Sequence, residues 1–352
     1  MTLRRVCVVV TARPSYSRIK TALEAITAHP DLELFLVVGG SALLERYGRA
    51  VDQIERDGFT VAARVSMVLE GEDPTAMAKT AGVGLLELST VLADLAPDAV
   101  VTVADRYEPL APAVAAAYMN IPLVHVQGGE VSGSIDEKVR HAITKLADLH
   151  FAATPRAAER IVRMGEDPST VHVTTCPSID LAARLGSDPP LDFDVFERYG
   201  GVGPPLDLHP GYLVVLQHPV TTEYDQARAQ AEATLRAVHE SGRPTLWFWP
   251  NVDAGSDGTS NAIRAFRERE QPAQLHFFKN VAPDDFLILL ANAAALVGNS
   301  SAGIRECSYL GVPTVNVGSR QSGRERGANV IDVDHDHEAI SAAITTQLEH
   351  GR

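Results

Sequence analysis

Four carboxylates, Asp105, Glu130, Asp136 and Glu137, stand at the ends of apolar runs or at the start of the next helical stretch. Acids gathered at one place push their pKa values apart, so that one can take a proton while another gives one. For Asp136 and Glu137 an ordinary role competes, since acids at a helix start cap it and favour its dipole. For Asp105 and Glu130 that reading is weaker, because strand-end acids are costly to bury without a role or a partner. Arg140 and His141 stand close enough in sequence to be such partners, or simply to satisfy the fold. Proton transfer to and from a carbon or oxygen is the chemistry such a group suits.

A second set of residues suits an anion. Gly298-Asn299-Ser300-Ser301-Ala302-Gly303 joins an apolar run to a helical stretch expected over 304–310. Hydroxyls at Ser300 and Ser301 and the small Gly303 leave backbone N–H groups open to a phosphate, helped by the helix dipole. Glu306 then suits the two hydroxyls of a ribose. The alternative is a plain N-cap at Ser300 or Ser301 with Glu306 in solvent. Arg13, followed by Pro14, Ser15 and Ser17, repeats the pattern after the first apolar run. Its planar guanidinium matches phosphate oxygens; the competing reading is that Pro14 simply starts a helix and Arg13 is exposed. His218 ends another run and suits a general acid or a phosphate ligand, though a lone histidine is more often structural. Asn251, Ser256 and Asp257 lie in a polar turn that either lines a pocket or is a loop. Arg106, Arg140, Arg320 and Arg324 complete the candidate ligands.

These residues need a scaffold that brings strand ends together. Continuous apolar runs at 5–10, 32–38, 99–103, 123–126, 149–152 and 171–173 alternate with helical stretches at 17–28, 75–95, 110–119 and 137–146. Such runs fit strands covered on both faces of a parallel sheet. After Pro189-Pro190, Gly200-Gly201 and Pro204-Pro205, a second series begins at 212–216 and continues at 245–249, 275–278, 294–297, 314–317 and 330–331. The expectation is two Rossmann-like α/β domains, 1–184 and 212–335, joined by a hinge at 185–211 and separated by a cleft. Ligands of such folds bind beyond the carboxyl ends of the strands.

Length and composition agree: 352 residues, 45% hydrophobic and 22% charged, suit a two-domain globular protein. A formal charge of −14 argues against a nucleic-acid or membrane-surface partner. Three scattered cysteines have no metal-ligand spacing and suggest a reducing cytoplasm. The apolar run after Arg4-Arg5 is too short for a signal peptide, and the reading finds no spanning segment.

Taken in order, Asp105-Arg-Tyr-Glu108, Gly128-Gly-Glu130, Ile135-Asp-Glu, Arg140-His-Ala-Ile-Thr-Lys145, Pro250-Asn, Gly255-Ser-Asp257, Gly298-Asn-Ser-Ser and Gly323-Arg324 resemble the hydrolysing UDP-N-acetylglucosamine 2-epimerases. The likeness runs from Thr11 to about Val333. It implies the two-domain architecture of GT-B glycosyltransferases, a nucleotide-sugar substrate such as UDP-N-acetylglucosamine, no metal, no cofactor and a homodimer. It implies that Asp105, Glu130, Asp136 or Glu137, and His218 form the catalytic group. Ser300, Ser301 and Glu306 would hold UDP, with Arg13 reaching across the cleft. A last helix from about Asp336 would pack back on the first domain. The implied reaction is elimination of UDP to 2-acetamidoglucal, then water addition to give N-acetylmannosamine. The alternatives are the non-hydrolysing epimerase, a GT-B glycosyltransferase and a non-catalytic nucleotide-sugar sensor. The sequence departs from the pattern in four places: Ala104 and Cys176 replace customary glycines, Gln127 stands where many relatives have histidine, and Arg13-Pro14 is closer to the opening of the non-hydrolysing epimerases.

Overall fold

The computed structural model describes residues 3–71, 73–103, 106–186 and 188–351. The valine- and leucine-rich runs of the first half form β1 (Arg4–Val10), β2 (Leu32–Gly39), β3 (Val61–Val65), β4 (Ala99–Val103), β5 (Leu123–Val126), β6 (Leu149–Ala152) and β7 (Val171–Val173). They pair in one parallel sheet of order β3-β2-β1-β4-β5-β6-β7. Strand β3 is absent from the sequence reading. Its segment, Val-Ala-Ala-Arg-Val, has no continuous apolar run, because this edge strand turns only alternate residues inward.

The second half forms β8 (Leu213–Leu216), β9 (Thr245–Phe248), β10 (Leu275–Phe278), β11 (Ala295–Gly298), β12 (Thr314–Val317) and β13 (Val330–Val333). Their order is β10-β9-β8-β11-β12-β13. Alternate residues of β8 feed opposite layers: Leu213 and Val215 pack with Trp247 and Phe277, whereas Val214 and Leu216 pack with Leu246 and Phe278. Both faces of the strand are therefore dry, which is why its sequence reads as an unbroken apolar run. The chain forms two Rossmann-like units, Met1–Val131 with Ile135–Leu181, and Ser132–Ser134 with Ala182–Arg352.

Three expectations are corrected. The segment 185–211 is not a free hinge. It carries the helix Val195–Tyr199, and Phe193, Phe196, Leu206 and Leu208 pack on the second unit's core. Val202 pairs with Phe277, and His276 is held by the carbonyls of Gly200 and Pro204 at 2.9 Å each. The prolines and glycines shape this wrap around the edge strand β10. The last helix, His337–His350, buries Ile340, Ala343 and Ile344 in the core of the second unit, not of the first. Finally, the stretch 17–28 is two helices, Arg13–Ser17 and Lys20–Ala28, because Pro14 starts a turn of its own.

The helix Pro74–Leu95 is long and apolar enough to cross a bilayer by length and composition alone. In this fold Ala76, Thr80, Gly84, Leu88 and Leu92 form a buried stripe at every fourth residue. Leu88 and Leu92 belong to the first unit's core.

Candidate active site

The strand order of the first unit reverses between β1 and β4, so the loops after these strands flank its switch point. Arg13 opens the helix after β1 and is half-buried. Burial first, and the charge of Arg106 second, lower its pKa to about 10, so it stays charged at neutral pH. Ser17 donates its hydroxyl to the Pro14 carbonyl at 3.0 Å. Asp105 lies outside the described residues. Arg106 follows it, 3% exposed, with its Nη2 2.8 Å from Oε1 of the fully buried Glu108. The sequence reading passed over Glu108, which engages a guanidinium proposed there as a ligand.

After β5 the chain turns at Gln127 (φ 64°), Gly128 and Gly129 (φ 76°) before the half-buried Glu130. The helix Ile135–Leu146 then separates the paired acids. Asp136 lies on its buried stripe with Val139, Arg140, Ile143 and Thr144. Glu137 faces the other way, partly exposed and 4.0 Å from His141 Nε2. Arg140 is fully buried and donates Nη1 to the Glu130 carbonyl at 2.9 Å. Beneath this loop His125 is fully buried, its Nδ1 3.2 Å from the Thr144 hydroxyl. Burial, then the nearby His150, Arg140 and His141, lower its pKa to about 3.

In the second unit the order reverses between β8 and β11. Asn299 joins the loops after these strands. Its Oδ1 accepts the His218 N–H and its Nδ2 donates to the His218 carbonyl, both at 2.8 Å. His218 is 4% exposed, and its Nδ1 accepts the Asn251 N–H at 3.4 Å. A neutral imidazole so held carries its proton on Nε2. Gly298 (φ 129°) permits this approach, since a Cβ there would come within 2.4 Å of the Leu216 carbonyl.

The helix expected over 304–310 is two short pieces, Ser301–Ile304 and Glu306–Leu310, broken at Arg305. Ser300 caps the first, its hydroxyl accepting the Ala302 N–H at 3.3 Å. The N-cap reading of Ser300 is therefore realised. Splitting the helix shortens the row of aligned peptide dipoles, which leaves more of any anion binding to N–H groups and arginines. Ser301 is 5% exposed. Gly303 has a packing role, since a Cβ there would meet the Thr314 methyl at 2.6 Å. Glu306 is not solvated: it is 9% exposed, and its buried Oε2 has no hydrogen-bond partner among the described residues.

Arg320 donates Nη1 to the Asn299 carbonyl at 3.2 Å, and Arg324 is 8% exposed. Asn251 is half-buried, Ser256 is buried at the start of the helix Ser256–Glu270, and Asp257 beside it is exposed. Among the described residues no group of three or more His, Cys, Asp or Glu side chains is placed to hold a metal ion.

Comparison with known proteins finds likeness to one family along nearly the whole chain. A model of the UDP-N-acetylglucosamine 2-epimerase family matches residues 24–352. The chain is 33% identical over 347 residues to UDP-N,N'-diacetylbacillosamine 2-epimerase (hydrolyzing) of Legionella pneumophila, covering 98% of this chain and 89% of that protein. It is 32% identical over 350 residues to UDP-N-acetylglucosamine 2-epimerase of Neisseria meningitidis, covering 99% and 89%. In fold it is similar to the Methanocaldococcus jannaschii UDP-GlcNAc 2-epimerase solved with UDP-GlcNAc and UDP, with a TM-score of 0.78 and 17% identity, covering 98% and 92%.

Proposed function

Since the chain belongs to the UDP-N-acetylglucosamine 2-epimerase family, we propose that it is the hydrolysing kind, converting a UDP-linked 2-acetamido sugar to its free 2-epimer and UDP. The observation that carries this reading is the likeness at 33% identity, over nearly the whole chain, to an enzyme whose name specifies hydrolysis. The same relative acts on a diacetylated sugar, so UDP-N-acetylglucosamine and UDP-N,N'-diacetylbacillosamine are the two substrates in view.

The reaction has two halves. Glu130 or Asp105 takes the C2 proton while the C1–O bond to UDP breaks, leaving a C1=C2 double bond in a 2-acetamidoglucal. Asp136 then returns a proton to the opposite face of C2 while water adds its hydroxyl to C1, and the water's remaining proton passes to the Asp136 carboxylate. The burial of Asp136, against the exposure of Glu137, supports Asp136 as the second acid. His218 suits the leaving diphosphate: its Nδ1 accepts a backbone N–H, so Nε2–H can donate to a phosphoryl oxygen. Arg13, Ser301 and Arg324 supply further donors. Glu306 takes the ribose hydroxyls, for which its buried Oε2 supplies an acceptor.

The test is to incubate purified protein with each of the two UDP sugars and quantify free UDP and free sugar by chromatography. Equal release of UDP and the 2-epimeric free sugar supports hydrolysis, and accumulation of a UDP-linked epimer supports the non-hydrolysing alternative. Turnover of one sugar and not the other assigns the substrate.

A further inference from the structure

The loop that carries Glu130 rests on two helices. Gly128 lies over His125 and Thr144, and a Cβ there would come within 2.8 Å of His125 Nδ1. Gly129 lies on the helix Pro155–Arg163, where a Cβ would come within 2.1 Å of the Ala157 carbonyl. Each helix also sends one guanidinium to the loop. Arg140 donates Nη1 to the Glu130 carbonyl at 2.9 Å, and Arg160 donates Nη1 to the Gly129 carbonyl at 3.2 Å.

These two carbonyls belong to the two peptide groups on either side of the Glu130 Cα. Fixing both planes fixes φ and ψ of Glu130, and with them the direction of its Cα–Cβ bond. The need for such anchors is local. Two consecutive glycines precede Glu130, and glycine rotates more freely than any other residue. Arg140 engages the peptide after Glu130, and Arg160 engages the peptide before it, attached to Gly129 at φ 76°. Nothing in the sequence marks Arg160: it lies 30 residues from Glu130 on an amphipathic helix, where a half-buried arginine reads as surface.

We propose that Arg160 is a positioning residue for the Glu130 carboxylate, acting through the Gly129 carbonyl. The catalytic part rests on the reading that Glu130 serves in the epimerase reaction. The structural part does not.

The experiment compares full-length wild type with Arg160→Met and Arg160→Lys. It reads hydrogen–deuterium exchange by mass spectrometry, turnover of the UDP sugar and affinity for UDP. Arg160→Met is expected to speed exchange in peptides covering residues 127–131, leave those of the second unit unchanged, and lower kcat roughly 10- to 100-fold. UDP affinity should stay within about twofold, and Arg160→Lys, which keeps one donor, should recover part of kcat. Unchanged exchange in the loop overturns the proposal. So does faster exchange with unchanged kcat, or a loss of kcat and UDP affinity together with faster exchange throughout the first unit. If the wild type turns over neither UDP sugar, the functional reading falls separately, and exchange in the loop still decides whether Arg160 holds it.

Discussion

Gln127 Nε2 lies 2.7 Å from Cys176 Sγ, which in turn lies 3.0 Å from the Ser178 hydroxyl. Gln127 and Cys176 are distant in sequence, and the fold brings them into contact. Gln127 is fully buried and holds a left-handed backbone conformation that side chains rarely adopt. Its amide needs a partner, and the thiol supplies one. The two side chains therefore form one buried pair behind the Glu130 loop. Cys176→Gly alone should lower stability by about 1–3 kcal/mol by stranding the amide. The double change Gln127→His with Cys176→Gly should cost less than the two single changes combined. Urea denaturation of the four proteins in the cycle checks this, and strictly additive effects would contradict the pairing.

Glu306 gives a cleaner prediction. Its buried Oε2 has no partner among the described residues, and ribose hydroxyls are the donors it suits. Glu306→Gln replaces a charged acceptor with a neutral amide and should weaken UDP binding by roughly 10-fold or more, the scale of a charge-assisted hydrogen bond. Calorimetric titration with UDP reads it. Unchanged affinity would remove Glu306 from the ribose site.

The two acids at the start of Ile135–Leu146 should behave differently. Asp136 is buried, and Asp136→Asn should reduce turnover roughly 100-fold while UDP affinity holds. Glu137 is partly exposed and lies 4.0 Å from His141, a contact of small consequence. Glu137→Gln should therefore stay within about threefold of wild type. The reverse ranking would transfer the role to Glu137.

Acid should destabilise the first unit through its buried histidines. His125 has its pKa lowered to about 3, chiefly by burial, whereas an unfolded histidine titrates near about 6.5. Between those values the unfolded chain binds a proton that the folded chain refuses. Stability therefore falls as pH drops below about 6.5, by up to about 1.4 kcal/mol per pH unit for one such residue. His141 and His150 are shifted in the same direction, again chiefly by burial. Tm measured from pH 7 to pH 5 should fall, and less steeply in His125→Asn. Parallel slopes in the two proteins would contradict this.

Much of the architecture is written in local pattern. Strands buried on both faces declare themselves as apolar runs, so β4, β5, β6, β10 and β12 have the bounds that the runs predict. Edge strand β3 escapes because it turns only alternate residues inward. The segment 185–211 misleads because proline and glycine mark a bend equally well in a hinge and in a wrap fixed by Phe193 and Phe196. Pattern likewise finds the acids and hydroxyls after the strands, but not which helix face each one takes. Asp136 and Glu137 are equivalent until the helix register buries one. The partnerships of Gln127 with Cys176 and of Gly129 with Arg160 arise only when distant segments pack.

The decisive measurement is proton NMR of the full-length protein acting on UDP-N-acetylglucosamine and UDP-N,N'-diacetylbacillosamine in heavy water. Abstraction at C2 followed by hydrolysis predicts deuterium at C2 of the released 2-epimer, together with free UDP. Free sugar that keeps its C2 proton, or deuterium at C2 of an epimer still joined to UDP, would contradict the hydrolysing epimerase.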